Sequence, residues 1–148
     1  MKIALAQMKM SEDVDENYQK SVSMICEAAR KGADLICFPE IQLTPFFPQY
    51  PQLDVRDHTV TPESGYVKGI QAVCKENRIY AAPNFYIEEN GNRYDMSLLI
   101  DDTGTTIGSQ KMVHIAQCEQ FYEQDHYTPS EEGFSVFDTK FGKIGIVV

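Results

Sequence analysis

The spacing of apolar residues changes period several times along the chain, and each change marks an element. Lys2–Met8 (KIALAQM) is apolar on both faces of its alternation, which predicts an interior strand covered on each side. Val14, Tyr18, Val22, Ile25 and Ala29 then recur at helical intervals. Asp13 and Glu16 stand at capping-box spacing, and Gly32 sits where a C-terminal cap belongs. Asp34–Glu40 (DLICFPE) reads as a second buried strand, so the opening is strand, helix, strand with short connections, the signature of neighbouring parallel strands.

Ile41–His58 contains Pro45, Pro48 and Pro51 and predicts a long ordered loop that keeps Phe46, Phe47 and Tyr50 available for lining. Thr61 as cap, Pro62 as first helical residue and Glu63 in the first turn predict a second helix running to Glu76. Ile79–Ile87 (IYAAPNFYI) follows as a third strand. Asn90-Gly91 predicts a tight hairpin into YDMSLLID, and DDTGTT turns the chain again into TIGSQKM. The closing stretch FGKIGIVV reads as a buried strand after a turn at Gly142. These elements predict one α/β domain, a mixed sheet with helices packed on it, without internal repeats.

The formal net charge of -9 argues against a nucleic-acid partner, because phosphate binding needs clustered Lys and Arg. No apolar run approaches the roughly 20 residues of a membrane helix, and the opening MKIALAQMKM is too short and interrupted for a signal peptide. The expected setting is the cytoplasm. Cys26, Cys37, Cys74 and Cys118 lack the paired spacing of a disulfide or zinc framework and read as buried free thiols. His58, His114 and His126 form no ligand pair, so no metal site is expected.

Three charged residues stand where chemistry could occur. Glu40 ends a buried strand, and ligands collect at the C-terminal ends of strands in open α/β sheets; partial burial there raises a carboxylate toward the working range of a general base. Lys111 closes a later strand and could aim an ammonium at a developing oxyanion. Glu123 lies among aromatic residues in FYEQDHYTPS. Taken singly, each also reads as an ordinary solvated side chain. Between Met112 and Thr139 the chain has no Lys or Arg but carries Glu119, Glu123, Asp125, Glu131, Glu132 and Asp138, which suits either a cationic substrate or a solvated face.

FPE closing the second strand, QKMVHI closing a later one, FYEQDHYTPS after it and FGKIGIVV at the end together resemble the nitrilase superfamily of carbon-nitrogen hydrolases, in order and spacing, over essentially the whole chain. The resemblance implies an αββα sandwich and a Glu, Lys, Cys triad assisted by a second Glu. Glu40 then looks like the general base, Lys111 like the lysine that stabilises the tetrahedral intermediate, and Glu123 like the second, positioning glutamate. The cysteine nucleophile of such proteins would be the residue directly after Val148. On that reading residues 1–148 are the N-terminal part of a single carbon-nitrogen hydrolase domain, either a cleaved form or a chain interrupted at a modified cysteine.

The lysine motif departs from many members in having two residues, not one, between Lys111 and His114, which puts the following loop in doubt. Cys118 lies in the wrong motif to replace the nucleophile. The implied substrate is a small-molecule amide or N-carbamoyl amine, most like the branch acting on N-carbamoyl amines and amino acids, with N-carbamoylputrescine leading and aliphatic amidase or ω-amidase activity open. No cofactor is implied, and the assembly implied is a homodimer or larger homo-oligomer. The alternatives are a catalytically dead fragment serving as a binding or assembly subunit, and a flavodoxin-like ligand-binding domain, against which the hairpins after Tyr86 argue. Half of a four-layer fold would leave an apolar sheet face uncovered.

Overall fold

A computed structural model describes residues 1–148. The elements are β1 (Ile3–Leu5), α1 (Val14–Arg30), β2 (Leu35–Cys37), α2 (Gly65–Asn77), β3 (Tyr80–Ala82), β4 (Asn84–Glu89), β5 (Asn92–Ile100), β6 (Thr106–Lys111), β7 (Gln117–Cys118), β8 (Phe121–Tyr122), β9 (Val136–Thr139) and β10 (Gly142–Gly145). The main sheet is six-stranded: β1, β2 and β3 are parallel neighbours, β5 runs antiparallel beside β3 and β4, and β6 pairs with β5. The β7–β8 and β9–β10 pairs are separate two-stranded ribbons.

Strand periodicity divides the sheet residues between two faces. Ile36, Ala81, Phe85, Ile87, Met96, Leu98 and Ile100 turn toward α1 and α2 and join Ile25, Val67, Ile70 and Cys74 in the main core. Leu35, Tyr80, Ala82 and Leu99 turn the other way and pack against Phe137, Phe141, Ile144 and Ile146 of the β9–β10 ribbon. Gly108 makes that packing possible: a β-carbon on it would lie 2.2 Å from the Phe137 ring. A third cluster, Ile41, Phe47, Val55, Tyr86, Met112 and Tyr127, fixes the proline-rich loop onto the sheet. That loop is ordered as expected, with Phe47 against Tyr86 at a ring separation of 4.9 Å.

The first helix follows its sequence signals: the Glu16 N–H donates to Asp13 Oδ1 at 3.1 Å, and Gly32 adopts φ 74° just past the end. Asp13→Ala is expected to cost about 1 kcal/mol and to lower the thermal midpoint by about 3 °C, measured by circular dichroism. Asn90 (φ 53°) and Gly91 (φ 78°) form the expected tight hairpin between β4 and β5.

Four expectations need correction. The second helix begins at Gly65, because the Ser64 hydroxyl caps it by accepting from the Val67 N–H at 3.3 Å, while Thr61–Ser64 forms a turn. The Ile79–Ile87 strand is broken at Pro83, which has no N–H to donate; both pieces keep one register on β5, Ala81 opposite Ile100 and Asn84 opposite Ser97. The first strand is an edge strand and is not covered on both faces, since Ile3 and Leu5 are 49% and 80% exposed. Only Gly142–Gly145 of FGKIGIVV is strand, and it pairs with β9 rather than entering the main sheet, because its apolar side chains lie flat on that sheet. Leu5, Val136 and Val147 leave exposed apolar surface around the ribbon. No helix is long and apolar enough to cross a membrane.

Candidate active site

The strand expected over Asp34–Glu40 is Leu35–Cys37, and Glu40 follows its end by three residues. The Phe38 N–H still pairs with the Ala82 carbonyl, Pro39 ends the ladder, and Ile41 turns the chain with φ 41°, a left-handed conformation that a β-branched residue rarely adopts. The turn is held by burial of Ile41 and by its N–H donating to Asn84 Oδ1. Strain is thus stored one residue after the candidate base, and it aims the half-buried Glu40 into a cavity of about 500 Å³. Cys37, Asn84 and Ser97 line its sheet side, and Ile144–Val148 close the opposite side.

Around Glu40 the structure gathers carboxyl groups and a phenol. Tyr127 donates its hydroxyl to Glu40 Oε1 at 3.2 Å. Asp95, fully buried on β5, lies within hydrogen-bonding reach of Glu40. Glu123, 7% exposed, is fixed by accepting the Ala116 N–H on Oε2 at 2.7 Å, and its charge acts on Glu40. Burial raises Glu40 above the usual carboxylate range, and the Glu123 charge adds to this against the lowering contacts of Asp95 and Tyr127. Burial and the Glu40 charge push Asp95 up to about 9, and burial pushes the Tyr127 phenol up as well. A carboxylate raised this way is suited to accept a proton and return it.

Glu40 and Glu123 are therefore brought together, and Lys111 is not. Lys111 stands opposite Met96 in the β5–β6 register and shares its side of the sheet, whereas Asp95, Ser97 and Leu99 face the other way. Its ammonium pairs with Glu89 Oε2 at 2.8 Å and lies 4.2 Å from the centre of the Tyr94 ring, beside a separate cleft lined by Thr128, Glu131 and Glu132. All four cysteines are free; Cys26 and Cys118 are exposed rather than buried, and Cys74 is buried with its thiol pushed up to about 12. No three His, Cys, Asp or Glu side chains converge as a metal-holding group.

Reading the sequence missed Asn84, Asp95 and Tyr127. The signal for the first two was present: Asp95 and Ser97 occupy alternate positions of the otherwise apolar stretch from Tyr94 to Ile100, and Asn84 interrupts IYAAPNFYI, so all three polar side chains fall on one sheet face. Tyr127 lies within FYEQDHYTPS, where nothing local distinguishes it from a core aromatic.

A layered α/β sheet with a strained, carboxylate-centred cavity at its strand ends defines an enzyme-like hydrolytic or proton-transfer site. The sequence profile of the carbon-nitrogen hydrolase family matches residues 2–148, and the chain belongs to that family. It is 28% identical over 148 residues to the N-carbamoylputrescine amidase of Solanum lycopersicum, covering 99% of this chain and 49% of that protein. It is also 28% identical over 147 residues to the citrullinase of Francisella tularensis, covering 99% and 51%. The crystal structure of a carbon-nitrogen hydrolase from Helicobacter pylori superposes with a TM-score of 0.88 at 17% identity, over 98% of this chain and 50% of that one. The fold is that of the nitrilase superfamily, and the chain spans about half the length of the relatives it matches.

Proposed function

We propose that this chain supplies the acid–base half of a carbon-nitrogen hydrolase that cleaves an amide or N-carbamoyl group, with Glu40 as general base and the cysteine nucleophile carried by the residue after Val148. The observation that carries the reading is the cavity itself, where the raised carboxylate of Glu40 and the backbone at Val148 share one space. Family membership and relatives named as amidases support it.

In the proposed reaction Glu40 takes the thiol proton as sulfur attacks the carbonyl or ureido carbon. Glu40 returns that proton to the departing nitrogen, leaving a thioester. It then deprotonates the water that attacks the thioester, and the thiolate regains the proton as the acid product leaves. Glu123 is the proposed positioning glutamate, and it orders the Ile115–Ala116 backbone by accepting the Ala116 N–H. Lys111 is the proposed cation for the oxyanion; its ammonium pairs with Glu89 on the other face of the sheet, so that role requires the end of β6 to turn it toward the cavity. N-carbamoyl amines with a cationic tail are the proposed substrate class, supported by the N-carbamoylputrescine amidase relatives. The proposed setting is the cytoplasm and the proposed assembly a homodimer or larger homo-oligomer.

The test uses the protein expressed from its complete gene, assayed for ammonia and amine release from N-carbamoylputrescine, an N-carbamoyl amino acid and simple aliphatic amides, with mass spectrometry of the quenched enzyme. Release from at least one substrate together with an acyl adduct on the residue after Val148 is the expected result. Absence of turnover on all three classes overturns the proposal and leaves the assembly-subunit reading.

A further inference from the structure

We propose that Asp95 is a proton-holding positioning residue for Glu40: its carboxylic acid donates from Oδ2 to the Glu40 carboxylate, so that the two groups carry one proton between them. The inference rests on Glu40 being the base, and it starts from an unmatched atom. Asp95 is fully buried, and its Oδ1 accepts from the Asn84 side-chain amide, whose second N–H goes to Ser97 Oγ at 3.0 Å. Its Oδ2 has no donor. A buried, ionised carboxylate with one oxygen unpaired and another carboxylate beside it is disfavoured by desolvation and by repulsion together.

One proton removes both costs. With Oδ2 as hydroxyl and Oδ1 as carbonyl oxygen, every polar atom of Asp95 is satisfied, and Glu40 receives a second donor in addition to Tyr127. The proton belongs on Asp95 because that side chain is fully enclosed, whereas Glu40 borders the cavity. Two donors on the Glu40 carboxylate, from β5 and from the loop after β8, then fix its rotation while leaving it ionised to act as base. The charged or titratable groups near Asp95 are Glu40, Glu123 and Tyr127, and Lys111 is turned to Glu89 on the opposite face of the sheet.

The pH behaviour follows with its sign. Because folding raises the Asp95 carboxyl from the ordinary range of about 4 to about 9, the folded state holds a proton the unfolded state has lost, and stability falls as pH rises through that window. Above about 9 the pair carries two negative charges and Glu40 is pushed out of position.

The experiment compares wild type with Asp95→Asn, Asp95→Leu and Glu40→Gln in the full-length protein. Asparagine keeps a permanent N–H donor for Glu40 and an acceptor for Asn84, so kcat/KM near neutral pH should stay within about tenfold of wild type, the alkaline loss of activity should move up or vanish, and the thermal midpoint should decline less steeply with pH. Leucine, which donates nothing, should lose about a hundredfold in kcat. Infrared difference spectroscopy reads the proton without turnover: a protonated-carboxyl band is expected at neutral pH in wild type and in Glu40→Gln, and not in Asp95→Asn. A wild-type spectrum without that band, a band that persists in Asp95→Asn, or an unchanged alkaline limb in Asp95→Asn overturns the proposal. Full hydrolysis by Glu40→Gln would instead remove Glu40 as the base, leaving the infrared assignment of Asp95 to stand by itself.

Discussion

Glu40→Gln in the full-length protein is expected to lower kcat/KM by about 10⁴ while leaving the fold in place. Glutamine preserves the volume of the side chain and can still accept from Tyr127, so the contacts that seat residue 40 at the end of β2 survive. What it cannot do is take up a proton, and the proposed reaction asks for that at two points, when the thiol attacks and when water attacks. The loss should therefore lie at the upper end of what one general base contributes. It should fall on kcat rather than KM, because a neutral amide still occupies the cavity. Steady-state kinetics with circular dichroism of the variant checks both halves; a loss confined to KM would make Glu40 a binding residue. The same variant also relieves Asp95 of its charged neighbour, so its thermal midpoint above neutral pH is expected to rise slightly, the usual sign of strain held for function.

How much of this was legible in the sequence depends on whether the information was local. The α1 boundaries and the Asn90-Gly91 hairpin are written in adjacent residues, and the structure shows each as expected, whereas the strand leading to Glu40 stops at Cys37 because Pro39 cannot continue the ladder. The edge position of β1 was not legible, because an apolar heptad looks the same whether a second layer covers it or not. The start of α2 was misplaced since Thr61-Pro62 and Ser64-Gly65 both offer a hydroxyl cap, and only the turn closed by the Ser64 N–H on the Thr61 carbonyl decides between them. The orientation of Lys111 depends on pairing register across β5 and β6, which no local motif encodes. The Glu40–Asp95 neighbourhood is the extreme case: the two residues are far apart in sequence and meet through the order in which β2, β3 and β5 are laid side by side.

Asn84→Ala is expected to cost about 3–5 kcal/mol of stability and, in addition, to disturb the pH dependence of catalysis. Asn84 is buried and every polar atom of it is used. Its side-chain carbonyl accepts the Ile41 N–H, and its amide donates to Asp95 and Ser97. Its backbone N–H donates to Gln42 Oε1 at 2.9 Å, and its carbonyl accepts the Gln42 N–H at 3.1 Å; the Gln42 amide donates in turn to Ser21 on α1 at 3.0 Å. Truncation leaves the Ile41 N–H, Asp95 Oδ1 and Ser97 Oγ without partners in the interior, each at about 1–3 kcal/mol before relaxation. Relaxation has an obvious path, since Ile41 is held at positive φ and loses the acceptor of its N–H. As Ile41 relaxes it carries Glu40 with it, so the site loses geometry as the core loses stability. Phe85→Ala at the next position is the control: that ring is fully buried in the core on the helix side and should cost a similar 3–5 kcal/mol without touching Glu40. Denaturant unfolding should place the two variants close together. Their pH–rate profiles should separate them, with Phe85→Ala keeping the wild-type shape and Asn84→Ala shifting it; coincident profiles would mean that the polar face of β4 serves folding alone.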